Sequence, residues 1–249
     1  MPENLIYSKQ VMSLSALQKT SLALRALEFQ QMPGGFRRAL VKGFLPNPYA
    51  RMTQRNGKEL IFVHVPKTAG TSLADALGVQ CGHIPISRYH AFDPARFQKA
   101  YKFAFVRNPW ERLRSAFSYL HSAIGINNSL DVLWATEYLG EYANFEDFVL
   151  ALKNPGVAKK IKSYKHFQNQ LDWIRIPGNP NITLDFIGHF ESFSDDSAHV
   201  MNDLGVHSAL GHKRKSKKSA VFSTEMIDIV ADMYSEDIDI LGYSGQEPI

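Results

Sequence analysis

The residues Val65-Pro66-Lys67-Thr68-Ala69-Gly70-Thr71-Ser72 gather one lysine, three hydroxyls and a glycine into a single short stretch. They follow a continuous apolar run, Leu60-Ile61-Phe62-Val63-His64-Val65, and precede a helical pattern that Gly78 ends. A strand that feeds straight into a helix leaves free backbone N–H groups at the helix start, where the helix dipole is positive. Anions bind there. Lys67 adds a full charge, Thr68, Thr71 and Ser72 add hydroxyl donors, and Gly70 lets the backbone approach a ligand closely. The pattern differs from the loop that binds nucleoside triphosphates, in which the lysine follows the second glycine. Here Lys67 precedes Gly70, so a nucleotide phosphate is expected and a Mg²⁺-bound triphosphate is not.

A second stretch, Phe105-Val106-Arg107-Asn108-Pro109-Trp110-Glu111-Arg112-Leu113-Arg114-Ser115, has the same strand-to-helix form. Asn108 suits the N-cap, Pro109 the first turn and Glu111 the third position after the cap. Arg107 leaves the strand end, where open α/β sheets bind ligands. Ser115 lies two turns into the helix, and Arg112 shares its face. An arginine fork with a hydroxyl suits a phosphate monoester.

Composition narrows the rest. The 249 residues carry 28 Lys plus Arg against 24 Asp plus Glu, a formal charge of +4 that does not suggest a dedicated nucleic-acid binder. The lone cysteine, Cys81, rules out an internal disulfide and a cysteine metal cluster. No apolar run approaches the roughly 20 residues that a membrane span needs, and the first residues lack the pattern of a secretory signal. The expectation is a cytoplasmic protein. Leu14, Leu17, Leu24 and Leu27 recur at helical spacing, which leaves room for peripheral membrane contact.

The elements that must hold the two stretches read as an α/β domain. Residues 1–55 are expected to form an N-terminal helical extension packed on the core, and residues 56–249 the domain itself. Strands are expected at 60–65, 103–106 and 184–188. Helices are expected at 70–76, 109–121, 145–153, 194–204 and 224–241. Loops are expected at 83–94 and at 207–222, and 124–144 reads as an irregular insertion. Strand–helix units in series predict a central parallel sheet flanked by helices.

The two stretches together resemble the two signature motifs of sulfotransferases that use 3′-phosphoadenosine 5′-phosphosulfate (PAPS). More narrowly, they resemble the carbohydrate sulfotransferase branch that includes the heparan sulfate 2-O-sulfotransferases and bacterial relatives. The resemblance continues at Leu184–Glu191 and Tyr234–Tyr243, and so covers residues 58–244. It implies a P-loop-like nucleotide-binding fold and sulfuryl transfer from PAPS to a carbohydrate hydroxyl, without a metal ion. Residues Lys67, Thr68, Ala69, Gly70, Thr71 and Ser72 would cradle the 5′-phosphosulfate, with Lys67 also catalytic, while Arg107 and Ser115 would hold the 3′-phosphate. A basic loop, Lys213-Arg214-Lys215-Ser216-Lys217-Lys218, would close over the nucleotide. The branch uses a histidine or glutamate as base, in the 2-O-sulfotransferases a histidine between the two motifs. His90 is the first choice here, His83 the second, and His64 is set aside because it lies in the strand. His189 stands where relatives often carry arginine. Two other readings share the motifs: a tyrosine or lipid-alcohol acceptor, and a PAPS-binding module without turnover.

Overall fold

The computed structural model describes residues 45–50, 53–79, 82–206 and 222–248, leaving out the Ser72 side chain. Four strands make one sheet in the order β1-β2-β3-β4: β1 (Gln54–Arg55), β2 (Lys58–Val63), β3 (Tyr101–Val106) and β4 (Phe186–His189). The pairs β2–β3 and β3–β4 are parallel, as expected. The edge strand β1 runs antiparallel to β2, which makes the sheet mixed rather than purely parallel. Asn56 and Gly57, at φ 48° and 71°, form the two-residue turn between them, the geometry that twisted hairpins prefer. Residues 53–55, read from sequence as extension, thus belong to the sheet. Tyr49 is likewise buried, and its hydroxyl donates to the Tyr89 carbonyl at 3.1 Å.

The apolar strands are buried on both faces, and their side chains alternate between two cores. Ile61, Val63, Ala104 and Val106 face one core, while Leu60, Phe62, Phe103 and Phe105 face the other. The second core is closed by Leu73, Ala74 and Leu77 of α1 (Gly70–Leu77) and by Val200, Met201 and Leu204 at α9 (Phe193–Asp203). The first is closed by α4 (Pro109–His121), through Trp110, Leu113, Ala116, Phe117 and Leu120. It also takes in residues of α2 (Ile86–Phe92), α3 (Pro94–Lys99), α6 (Phe145–Ala151) and α10 (Thr224–Met233). Each fully buried Phe or Leu contributes about 1.5–3 kcal/mol through removal from water.

Three expectations are corrected. The stretch 83–94 holds helix α2 and the start of α3, whose N-cap Asp93 accepts from the Arg96 N–H. The stretch 124–144 contains α5 (Leu130–Tyr138), capped by Ser129. Its buried residues Val132, Leu133, Trp134 and Ala135 are consecutive, so it shows no amphipathic stripe to read. The final helix is two, α10 and α11 (Ser235–Ile240), divided at Tyr234. Tyr234 is fully buried, and its hydroxyl donates to the Phe167 carbonyl at 2.7 Å. Between α6 and β4 lie α7 (Pro155–Lys162) and α8 (Leu171–Ile174). Among the described residues no helix is long and apolar enough to cross a membrane.

Candidate active site

The three parallel strands end at one edge of the sheet, and their register sets the residues that follow side by side. Val106 pairs with His189, and Val63 with Ala104. The turn after β2, Arg107 after β3 and Phe190 after β4 therefore share the carboxyl edge, where open α/β sheets carry their ligand crevice.

The turn after β2 is built for close approach. Lys67 and Ala69 adopt left-handed backbone, φ 72° and 61°. Ala69 is the N-cap of α1 and makes no side-chain cap, so the first N–H groups of that helix have no capping side chain. Thr68 is fully buried, and its hydroxyl donates to the Val65 carbonyl at 2.9 Å. Its proton thus serves the turn, and Thr68 contributes shape rather than a free donor. Thr71 is exposed at the helix start, Ala69 is half-buried, and the Ser72 side chain lies outside the described residues. Gly70 is packed on the strand: a Cβ there would meet His64 Nε2 at 2.5 Å and Phe62 Cζ at 2.9 Å. Gly70→Ala is therefore expected to destabilise the protein by about 1–3 kcal/mol through overpacking. A thermal melt checks this, and an unchanged midpoint would show that the turn can shift freely.

Lys67 is half-buried and its Nζ lies 3.9 Å from the centre of the Tyr119 ring. Among the described residues no carboxylate pairs with it. Burial, helped by the nearby Arg107 charge, lowers its pKa to about 8. Arg107 is 7% exposed. Its Nη1 reaches the Lys67 carbonyl at 3.4 Å, its guanidinium lies 4.1 Å from the Phe190 ring centre, and Glu111 stands 3.6 Å away. Burial pulls its pKa down, but a guanidinium keeps its proton. The Nε atoms of Arg107 and Arg114 are buried without a partner among the described residues. Arg114 pairs with Glu111, whereas the unpartnered Arg107 Nε, on a guanidinium that reaches the turn before the uncapped helix, fits an anionic ligand. Ser115 is half-buried two turns along α4. The basic stretch 213–218 lies outside the described residues.

A buried polar network, absent from the sequence reading, fixes these two segments. Gln170 is fully buried and clamps the Arg107 backbone, accepting from its N–H and donating to its carbonyl, both at 2.8 Å. Asp237 accepts in turn from the backbone N–H groups of Gln170 and Leu171, at 2.7 and 3.1 Å. Arg112, read from sequence as part of a phosphate fork, is 1% exposed and turned inward. It donates to the carbonyls of Pro66 at 3.1 Å and Gln168 at 2.7 Å, tying the β2 turn to α4. Glu191 accepts from the Asn108 N–H at 2.8 Å and from Tyr243 at 3.1 Å, which holds the β3–α4 junction against β4 and the C-terminal segment. No local sequence pattern marks these contacts, because the partners lie 46 to 83 residues apart.

The histidines sort by their surroundings. His90 lies in the last turn of α2, its ring edge-on to Phe97 at 5.2 Å. His83 stands against His64 at 4.4 Å, and against His166 and Trp173 at 5.9 Å each. His166 in turn meets Tyr119, over which Lys67 sits. The structure thus joins His83, rather than the first-choice His90, to the surroundings of Lys67. His83 Nδ1 lies 2.9 Å from the His64 carbonyl. A carbonyl only accepts, so Nδ1 carries the proton and Nε2 keeps the lone pair of the neutral ring. His83 is exposed, yet its ring packs against His64, His166 and Trp173, and this partial burial lowers its pKa. It is neutral at pH 7, as a general base requires.

His64 and His166 are more deeply buried, and their pKa values fall to about 3 and about 4. Below the ordinary value of about 6.5 the unfolded chain binds protons that the folded rings refuse. Stability is then fully present above pH 6.5 and declines as pH falls toward 4. Thermal melts from pH 7.5 to 4.5 are expected to show a falling midpoint; a flat profile would contradict the buried neutral rings.

A sequence model of the sulfotransferase family matches residues 50–244, a span that contains the β2 turn, Arg107, Ser115 and the histidines His64, His83, His90 and His166. Carbohydrate sulfotransferase 11 of Rattus norvegicus and of Mus musculus are each 25% identical to the chain over 197 residues, which is 65% of this chain and 54% of theirs. Carbohydrate sulfotransferase 11 of Danio rerio is 25% identical over 229 residues, 78% of this chain and 62% of its own. The chain spans a little over half the length of these relatives. No solved structure matches it. With a strand–turn–helix cradle at its sheet edge and the family model covering well over half of its length, the chain belongs to the sulfotransferase family.

Proposed function

We propose that the protein transfers a sulfuryl group from PAPS to a hydroxyl of a carbohydrate, with His83 as general base. One observation carries the reading: Lys67 and Arg107, which follow neighbouring parallel strands, lie side by side at the carboxyl edge of the sheet, with Arg107 Nη1 3.4 Å from the Lys67 carbonyl. Such a pair of cations suits a nucleotide with phosphates at both ends, and the idle Nε of Arg107 suits it further. The carbohydrate acceptor is drawn from the relatives, which are named as carbohydrate sulfotransferases.

PAPS would supply a sulfuryl group bonded to a phosphate leaving group. The chain's own part is positioning, charge and proton removal. The α1 N-terminus and Lys67 would hold the 5′ end. Lys67, protonated below about pH 8, would neutralise charge that builds on the leaving oxygen. Arg107, braced by Gln170 from below and by the Phe190 face, would grip the 3′-phosphate, with Ser115 as the second donor. His83 Nε2 would take the acceptor's proton, while the His64 carbonyl holds the ring in the right tautomer. Incubation with ³⁵S-labelled PAPS and a panel of glycans tests the reading. Label in glycan supports it; tight nucleotide binding with no transfer to any sugar, tyrosine peptide or lipid alcohol would favour a binding module instead.

A further inference from the structure

Asp131, at the start of α5, gathers three groups from one segment. Tyr164 donates its hydroxyl to it, Lys165 Nζ lies 2.7 Å from one oxygen, and His166 Nε2 lies 3.3 Å from the other. These contacts hold the Asp131 carboxyl well below the ordinary range, against the opposing effect of burial. An ionised carboxylate only accepts, so His166 Nε2 carries the proton and the lone pair falls to Nδ1. That Nδ1 is buried without a partner among the described residues, on a side chain 5% exposed. The His166 ring stands edge to face with His83, 5.9 Å between centres and 79° between planes. An idle buried lone pair is unfavourable unless something uses it.

We propose that His166, oriented by Asp131, is a positioning residue that carries away the proton His83 takes from the acceptor. This rests on the sulfuryl transfer proposed above and on His83 as its base. In that step the acceptor oxygen bonds to sulfur as the sulfur–oxygen bond to the phosphate breaks. The electron pair leaves with the phosphate, and the acceptor's proton passes to His83 Nε2. His83 is then an imidazolium with its open face covered by the acceptor. Its Nδ1–H remains on the His64 carbonyl, and the Trp173 indole nitrogen is a donor only. His166 Nδ1 is the neighbouring lone pair, on a ring whose centre lies 5.9 Å from that of His83. The proton moves to Nδ1, Asp131 balances the imidazolium formed, and the proton leaves to solvent beside the partly exposed Lys165.

The groups around His166 make this state transient. Asp131 from α5 favours the charged ring, whereas Lys165 in its own segment and His83 oppose it. Arg112 of α4 donates to the His166 carbonyl at 3.4 Å, and the rings of Tyr119 and Tyr164 close the sides. His166 is therefore neutral at rest, and once charged it favours release of the proton.

The test is His166→Asn in the full chain. It is assayed with labelled PAPS, using p-nitrophenyl glycosides and unsulfated polysaccharides as acceptors, and donor hydrolysis as a readout in which water is the acceptor. The nucleotide should bind within about twofold of wild type, while turnover at pH 7 falls by about 10–100-fold. Added imidazole should restore much of that loss, since it can take the proton in place of the missing ring, and should leave wild type unaffected. Asp131→Asn should show a smaller loss with the same response, and it carries the test if the first variant does not fold. Wild-type turnover in both variants would overturn the relay, as would a loss that imidazole does not move while the nucleotide still binds. A fully active His83→Ala would instead strike the proposed base, so the two failures are distinct.

Discussion

His83→Ala is expected to bind 3′-phosphoadenosine 5′-phosphate like wild type and to lose about 10²–10⁴-fold in turnover, the range for removing a positioned general base. The contrast with His90→Ala is the informative part. His90 packs against Phe97 from α2, whereas His83 presents a lone pair whose tautomer the His64 carbonyl sets. His90→Ala should keep turnover within a few-fold of wild type. A collapsed His90 variant beside an active His83 variant would reverse the assignment. The pH profile has a sign as well. His83 must be neutral and burial lowers its pKa, so activity should rise with pH along a limb below 6.5. Lys67 must be protonated, so activity should fall again above about 8. Lys67→Ala should remove the alkaline limb together with most of the rate.

Arg107→Ala is expected to abolish preference for a 3′-phosphate. Hydrogen bonds to a charged group contribute about 1.5–3 kcal/mol, or roughly 10–150-fold in affinity. Wild type should therefore favour 3′-phosphoadenosine 5′-phosphate over adenosine 5′-phosphate by that factor or more, and the variant should treat them alike. Lysine should not rescue it. The guanidinium lies over the Phe190 ring, 4.1 Å from its centre, and presents a planar fork, which an ammonium cannot reproduce. Calorimetry with both nucleotides reads the outcome, and a variant that keeps the preference would move the 3′ site elsewhere.

The parts of the site legible in sequence are those that local chemistry writes. Apolar runs buried on both faces marked β2 and β3, Gly78 in left-handed backbone ended α1, and Asn108 with Pro109 opened α4. Each signal is strong because a strand end, a cap or a turn restricts residue type by itself. The edge hairpin at Asn56-Gly57 carried such a signal too, hidden beside residues assigned to an extension. The brace beneath the site carried none. Gln170 and Asp237 matter because distant backbone groups converge on them, and no spacing encodes that. The same holds for His83 and His90. Both lie between the motifs, and only the unforeseen helix α2 sets His90 against Phe97, while His83, before that helix, packs against His64. Arg112 misled for a related reason: its place on the α4 face was right, but its side chain points at carbonyls of the interior.

The most direct test of the shared cradle is a calorimetric titration of the folded protein with 3′-phosphoadenosine 5′-phosphate. One nucleotide should bind per chain, and Lys67→Ala and Arg107→Ala should each weaken that binding at least tenfold. A well-folded protein that takes up no nucleotide, or binds it equally well without either cation, would contradict the account.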